Sequence, residues 1–237
     1  MKSHPETRND AFDWSGGTPR FRGLDVHVES LALAGRTFRI AGLADAADLL
    51  DHQDFADLFI HDDRAPYGME LWPAAPMMAE FILNDEDGKG RPAIELGCGL
   101  GLASLAAAIK GWNIVAADHE PTSLEFARYN AELNRVTIPA YETFNWHCPP
   151  VDRRFDRIFG ADILYQLADH VPILHCVHAL LAENAVALIA DPHRSVADRF
   201  AALAEEQGFG VELLPASCEF RDRGLIRGRI FRLTPNR

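Results

Sequence analysis

The chain has 237 residues, 48% of them hydrophobic and 9% aromatic, enough for the core of one large α/β domain or of two small ones. With 23 Lys and Arg against 35 Asp and Glu the formal net charge is −12, which argues against nucleic acid as a partner because phosphate binding needs a basic face. No apolar run approaches the roughly 18 residues of a membrane span, and Met1 to Arg20 lacks the apolar stretch of an export signal, so a soluble, cytoplasmic protein is expected.

In chain order, residues 1–20 read as a flexible arm and residues 21–65 as an N-terminal extension. Alternation on either side of LALAG predicts a strand pair between Leu24 and Ile40. Helical spacing runs from Ala44 to Ile60 with aspartates between the apolar positions, a solvated surface. From Pro66 onward short apolar runs alternate with helical periodicity, the pattern of a mostly parallel sheet covered on both faces. Helices are expected at Ala74–Leu83, Leu102–Lys110, Pro121–Asn134, Val171–Leu181 and Ser195–Gln207. Strands are expected at Ala93–Leu96, Asn113–Ala117, Tyr141–Phe144, Phe155–Ala161 and Ala185–Ala190. A closing hairpin is expected from Phe209–Leu214 and Leu225–Leu233.

Cys98, Cys148, Cys176 and Cys218 form no CxxC pair, so neither a disulfide framework nor a zinc knuckle is indicated. His170, His175 and His178 sit in an apolar periodic stretch and read as ordinary helix residues, so no metal is expected.

The sharpest motif is Glu95-Leu96-Gly97-Cys98-Gly99-Leu100-Gly101, where a buried strand turns into a helix. Glycines there let the backbone approach a ligand and adopt positive φ, and the carboxyl ends of strands in an open α/β sheet are where ligands bind. Asp118 ends the next strand 21 residues after Gly97, where an acid can accept from both hydroxyls of a ribose; it can equally cap the helix opening at Pro121. The glycines run G-x-G-x-G rather than the dinucleotide G-x-G-x-x-G, with less provision for a pyrophosphate. S-adenosylmethionine has no phosphate to cradle.

At this point the sequence resembles the class I, seven-strand methyltransferases. Four ordered blocks are similar to methyltransferase family 16, which holds protein-lysine methyltransferases and bacterial nicotinamide N-methylase-like members. They are Pro66 to Ala75, the glycine motif, Asn145-Trp146, and Gly160-Ala161-Asp162-Ile163-Leu164-Tyr165. The resemblance covers roughly Ala47 to Val211 and implies a Rossmann-like, doubly wound α/β fold with a mostly parallel seven-stranded sheet; with the closing C-terminal antiparallel hairpin, the methyltransferase domain is expected over residues 66–237. The resemblance also implies that Trp72, Glu95, Gly97, Gly99, Gly101 and Ala161 border the cofactor, that Asp118 holds the ribose, and that Asn145 and Trp146 sit at the adenine. Asp162 and Tyr165, the D-x-x-Y segment, would face the transferable methyl as catalytic residues. By themselves Trp72 and Trp146 also read as core, and Asp162 as the cap of the next helix.

The expected activity is S-adenosylmethionine-dependent N-methylation, of a protein lysine or else of a small nitrogen-containing metabolite. An NAD(P)-dependent oxidoreductase and a non-enzymatic binding module on the same scaffold are the alternatives. A lysine amine of pKa about 10.4 costs on the order of 4 to 5 kcal/mol to deprotonate at neutral pH, and an anionic Asp162 would by itself favour the charged amine. Asp191-Pro192-His193-Arg194 should also border the cleft. Six arginines and one aspartate lie between Arg221 and Arg237, read as edge-strand charges or as a dock for an acidic partner.

Overall fold

A computed structural model describes residues 12–13, 19–43, 67–150 and 152–236. The expected helix from Ala44 to Ile60 lies outside the described residues. At the amino end, β1 (Phe12–Asp13), β2 (Arg20–Phe21), β3 (Leu24–Leu33) and β4 (Arg36–Leu43) form an antiparallel sheet in that order. Phe12, within the stretch read as a flexible arm, stacks on Tyr129 with ring centroids 4.0 Å apart.

The main sheet has seven strands: β5 (Pro92–Leu96), β6 (Asn113–Asp118), β7 (Ala140–Thr143), β8 (Phe155–Ala161), β9 (Leu181–Asp191), β10 (Phe209–Glu219) and β11 (Leu225–Pro235). Their spatial order is β10-β11-β9-β8-β5-β6-β7. The five central and right-hand strands are parallel, and β11 runs antiparallel to both β9 and β10. Parallel strands are covered on both faces, which is why β5 reads as a short continuous apolar run with four of its five residues buried.

The helices are α1 (Ala74–Asn84), α2 (Leu102–Ile109), α3 (Pro121–Leu133), α4 (His170–Leu180) and α5 (Phe200–Glu206). One face of the sheet buries a cluster shared by α1, α2, α3 and the amino-terminal strands, the other a cluster around α4 and α5. Pro121 opens α3 at a position where its missing N–H costs nothing. Gly111, at φ +77°, ends α2 in a Schellman turn, with Trp112 N–H donating to the Ala107 carbonyl at 3.0 Å.

Two expected elements differ. The helix expected over Ser195–Gln207 is a 3₁₀ turn at Ser195–Ala197 followed by the shorter α5. In that turn the i→i+3 bonds from Ala197 N–H to the Arg194 carbonyl and from Asp198 N–H to the Ser195 carbonyl replace α-helical pairing. The closing strands are longer than expected, because β10 runs through Pro215. As the edge strand, β10 has one side where a missing N–H breaks no ladder bond.

The chain winds from β5 outward to β6 and β7, then returns to the other side of β5 at β8. This reversal splays the connections above the carboxyl ends of β5 and β8 and opens a crevice there.

Candidate functional site

A cavity of about 360 Å³ fills that crevice, within the range of small-ligand sites. Its walls come from the segment before α1, the glycine turn after β5, the ends of β6 and β8, and the loop after β9.

The three motif glycines have three different reasons to be glycine, all at positive φ. A Cβ on Gly97 would lie 2.9 Å from Ile163 Cγ2 and 3.5 Å from the Trp146 ring. One on Gly99 would press to 3.1 Å from the Gly68 carbonyl oxygen, and one on Gly101 to 2.9 Å from Ala127 Cβ of α3. The turn therefore packs backbone against the Tyr67-Gly68 segment while its last glycine lets α2 and α3 close together. Asp118, 5% exposed, ties the turn down: Oδ2 accepts the Gly99 N–H at 2.9 Å and Oδ1 the Glu120 N–H at 3.0 Å. Asp118 faces the cavity, and its bond to the Glu120 N–H fixes the residue before α3 rather than an N–H of the helix's first turn.

Glu95 lies in the floor, 1% exposed, with Ser104 Oγ donating to Oε2 at 2.5 Å. Burial pushes its carboxyl up to about 8, and the neighbouring Asp118 charge adds to the rise. Trp146 is 6% exposed, borders the cavity, and its Nε1–H has no hydrogen-bond partner among the described residues. Asn145 is placed outside the lining: its Oδ1 accepts the His147 N–H at 3.0 Å, closing a local Asx turn.

Trp72, Ala161, Asp162 and Tyr165 all border the cavity. Asp162 and Tyr165 lie in an irregular loop, not on a helical turn, and Asp162 has φ +59°. Asp162 does cap a helix, but not the following one: Oδ2 accepts the Ala74 N–H at the start of α1, 2.6 Å away. Oδ1 accepts from Arg194 Nη2 at 2.6 Å and Nε at 3.2 Å. Burial pushes the Asp162 carboxyl up while Arg194 pulls it down, and burial prevails. Tyr67, Trp72 and Tyr165 form an edge-to-face set, with centroids 5.6 Å apart for the first pair and 6.0 Å for Tyr67 and Tyr165.

Tyr67, Glu70 and Glu120 were not among the expected site residues, whereas Arg194 belongs to the Asp191 to Arg194 stretch expected to border the cleft. His193 is exposed and outside the lining, whereas the next residue, Arg194, enters the wall. The clue was the placement of Asp191 to Arg194 after a cleft-facing strand. Among the described lining residues five carry carboxyl groups, Glu70, Glu95, Asp118, Glu120 and Asp162, and one, Arg194, a guanidinium. Of the six arginines of the carboxyl end, three pair within the fold among the described residues. Arg221 meets Glu29 at 2.7 Å, Arg229 meets Asp191 at 3.2 Å and Asp198 at 3.0 Å, and Arg232 meets Glu212 at 3.3 Å.

A seven-stranded sheet in this order, with a glycine turn and an acid at the ends of adjacent strands, defines the Rossmann-like methyltransferase fold. The profile of the lysine methyltransferase family matches residues 53–206, and the chain belongs to that family. Among curated relatives, the protein N-terminal and lysine N-methyltransferase efm7 of Aspergillus fumigatus is 27% identical over 170 residues, 61% of this chain and 66% of that one. The electron transfer flavoprotein beta subunit lysine methyltransferase of Danio rerio is 32% identical over 136 residues, 55% of this chain and 51% of that one. The chain thus spans about half to two-thirds of the length of these two relatives. In fold it is similar to the crystal structure of P. horikoshii TYW2 in complex with MeSAdo, with a TM-score of 0.55 and 15% identity over 90% of this chain and 72% of that one.

Proposed function

We propose that the protein is an S-adenosylmethionine-dependent N-methyltransferase that modifies a lysine side chain of a protein. The observation that carries the cofactor reading is the charge of the cavity: with Glu95 holding its proton, four carboxylates, Glu70, Asp118, Glu120 and Asp162, stand against the one guanidinium of Arg194 among the described lining residues. That wall suits a ligand with a sulfonium and an ammonium group, and it opposes the pyrophosphate of a dinucleotide. The glycine turn offers backbone at close range, with the Trp146 ring beside Gly97. Asp118 and Trp146 would hold the nucleoside, and Glu95, Gly97, Gly99, Gly101 and Ala161 would border the rest. Asn145 would support Trp146 from behind.

When bound, the cofactor supplies an electrophilic methyl group. The chain's part is to orient the acceptor nitrogen with Asp162, Tyr165 and Trp72, and to keep water from it. The lysine assignment is supported by the names of the relatives above. No helix among the described residues is long and apolar enough to cross a membrane, and the four free cysteines suit a reducing compartment, so we place the protein in the cytoplasm.

Calorimetry with S-adenosylmethionine, S-adenosylhomocysteine, NAD and NADP tests the cofactor. Binding of the first two alone is expected, and binding of either dinucleotide in their stead overturns the reading. Transfer of a labelled methyl group into a lysate, followed by hydrolysis to amino acids, should place the label in methyl-lysine. Label confined to small molecules would move the acceptor to a metabolite.

A further inference from the structure

The cavity divides chemically. Over β5 and β6 its wall is glycine backbone and buried carboxyl groups, the half suited to the cofactor. Past the ends of β8 and β9 it is formed by the side chains of Tyr67, Trp72, Asp162, Tyr165 and Arg194. Tyr67 is 46% exposed, so a second reactant reaches the cavity here. A nitrogen attacking a methyl group needs its lone pair, and a protonated amine has none to give. An isolated Asp162 carboxylate beside an aromatic face would hold the amine in its protonated, unreactive form.

Asp162 is not isolated. Three N–H groups reach its two oxygens, from Ala74 at 2.6 Å and from Arg194 at 2.6 and 3.2 Å. The Arg194 guanidinium carbon also lies 5.4 Å from the centroid of the Trp72 ring, on the face where an incoming cation would rest. The Arg194 backbone is fixed on both sides, its N–H donating to Asp191 Oδ1 at 3.0 Å and its carbonyl accepting from Arg229 Nη2 at 3.2 Å. A guanidinium clamped at backbone and head is a fixed part of the wall.

We propose that Arg194 makes the acceptor end of the cavity select a neutral amine over an ammonium ion, by cancelling the Asp162 charge and covering the cation-binding face of Trp72. The proposal rests on the N-methyltransferase reading and specifies the protonation form in which that enzyme takes its substrate. A free lysine side chain, of pKa about 10.4, is neutral in only about one molecule in two thousand at pH 7. A fixed like charge at the binding site lowers that pKa, as a neighbouring cation does for nucleophilic lysines elsewhere. The other groups facing this corner leave the balance in place. Asp191 at the end of β9 is offset by Arg229 of β11, which also reaches Asp198. The Cys218 thiol of β10, close enough to feel the Asp162 charge, is pushed by burial to about 11 and is neutral. His193 next to Arg194 is exposed. Across the cavity stand the Tyr165 phenol and Glu70, whose charge is felt by Arg221.

The test is titration of the full chain, saturated with S-adenosylhomocysteine, with n-butylamine, followed by the Trp72 indole NMR signal from about pH 6.5 to about pH 9.5. In the wild type, apparent affinity should rise about tenfold per pH unit, because only the neutral fraction binds. In Arg194→Gln the rise should flatten, and the amine should bind at least about tenfold tighter at pH 6.5, as ammonium on the freed Asp162. Arg194→Lys should restore the slope. Because Arg194→Gln leaves a buried carboxylate without its counter-ion, the pair Asp162→Asn with Arg194→Gln is measured beside it, and with neither charge present it should keep the steep rise. Unchanged affinity for S-adenosylhomocysteine checks folding in each. Amine affinity independent of pH in the wild type, no amine binding at any pH, or the same slope in wild type and Arg194→Gln overturns the proposal. Failure of the wild type to bind S-adenosylhomocysteine overturns instead the enzyme reading beneath it.

Discussion

Glu95 is a carboxyl group in a place where a charge is costly, and its proton should be visible in the stability of the chain. It is 1% exposed, it accepts a hydrogen bond from Ser104, and burial raises it from an ordinary 4.5 to about 8. Between those two values the folded chain holds a proton that the unfolded chain releases. The stabilisation is therefore complete below about pH 4.5 and is lost as pH rises toward about 8, on the order of 1 kcal/mol per pH unit. Glu95→Gln keeps an acceptor for Ser104 and has no proton to lose. Its melting temperature is expected to match the wild type near pH 4.5 and to exceed it near pH 8. Parallel curves for the two proteins across that window would falsify the buried-proton account. Residues whose partners lie close in sequence were legible in this way from the start: Gly97, Gly99 and Gly101 mark one turn, and Asp118 closes the adjacent strand. The differing jobs of the glycines were not legible, because Gly68, Ile163 and Ala127 come from three other segments. Asn145 shows the converse, a residue whose oxygen is taken by a backbone N–H two positions on.

At the scale of elements, α3 carries a device that periodicity does not reveal. Asn130 and Asn134, one turn apart, present their amides to the free edge of β4 as a neighbouring strand would. Asn130 Oδ1 accepts the Ala41 N–H at 2.7 Å and its Nδ2 donates to the Ala41 carbonyl at 3.0 Å; Asn134 does the same for Arg39 at 2.9 and 2.7 Å. Asn130 Nδ2 also donates to the Leu100 carbonyl in the glycine turn at 2.9 Å. One side chain thus joins the amino-terminal sheet, a helix and the turn. Asn130→Ala leaves buried backbone groups of Ala41 and Leu100 unpaired, about 1 to 3 kcal/mol for each, and should weaken S-adenosylhomocysteine binding about tenfold or more. Asn134→Ala should lower the melting point while leaving that affinity within about threefold, since its bonds go to β4 and to the Asn130 carbonyl within α3 and none reaches the turn. Equal affinities in the two variants would show that the link to Leu100 does not shape the turn. The helix itself was legible from Pro121 to Asn134, with the proline at its first turn. The role of its asparagines was not, since their strand partners lie 89 and 95 residues away. The pairing of Arg194 with Asp162 was not legible for the same reason, the carboxylate lying 32 residues back in the loop after β8, which only the sheet order brings alongside.

The whole molecule is an acidic chain whose arginine-rich carboxyl end places Arg221, Arg229 and Arg232 in internal pairs, and Arg229 shows what such pairs secure. It reaches from β11 to Asp191 at the end of β9, to Asp198 in the turn before α5, and to the Arg194 carbonyl. The Asp191 side chain is 0% exposed and Oδ2 has no partner among the described residues, so Arg229 compensates a fully buried acid. Burial raises the Asp191 carboxyl against the pull of Arg229, which makes an uncharged amide a tolerable replacement. Arg229→Met should therefore destabilise the fold by about 3 to 5 kcal/mol, the cost of breaking a buried pair from one side. Asp191→Asn combined with Arg229→Met should recover most of that loss, because no buried charge is left uncompensated. The cofactor half of the cavity rests on β5 and β6, three and four strands from β11 in the sheet order, beyond β9 and β8. Affinity for S-adenosylhomocysteine in the folded fraction should then stay within about threefold of wild type in both variants, while the urea midpoints separate them. A double variant as unstable as Arg229→Met would mean that the guanidinium acts through packing rather than charge. Lost cofactor affinity in either variant would mean that the carboxyl-terminal hairpin and the glycine turn form one cooperative unit.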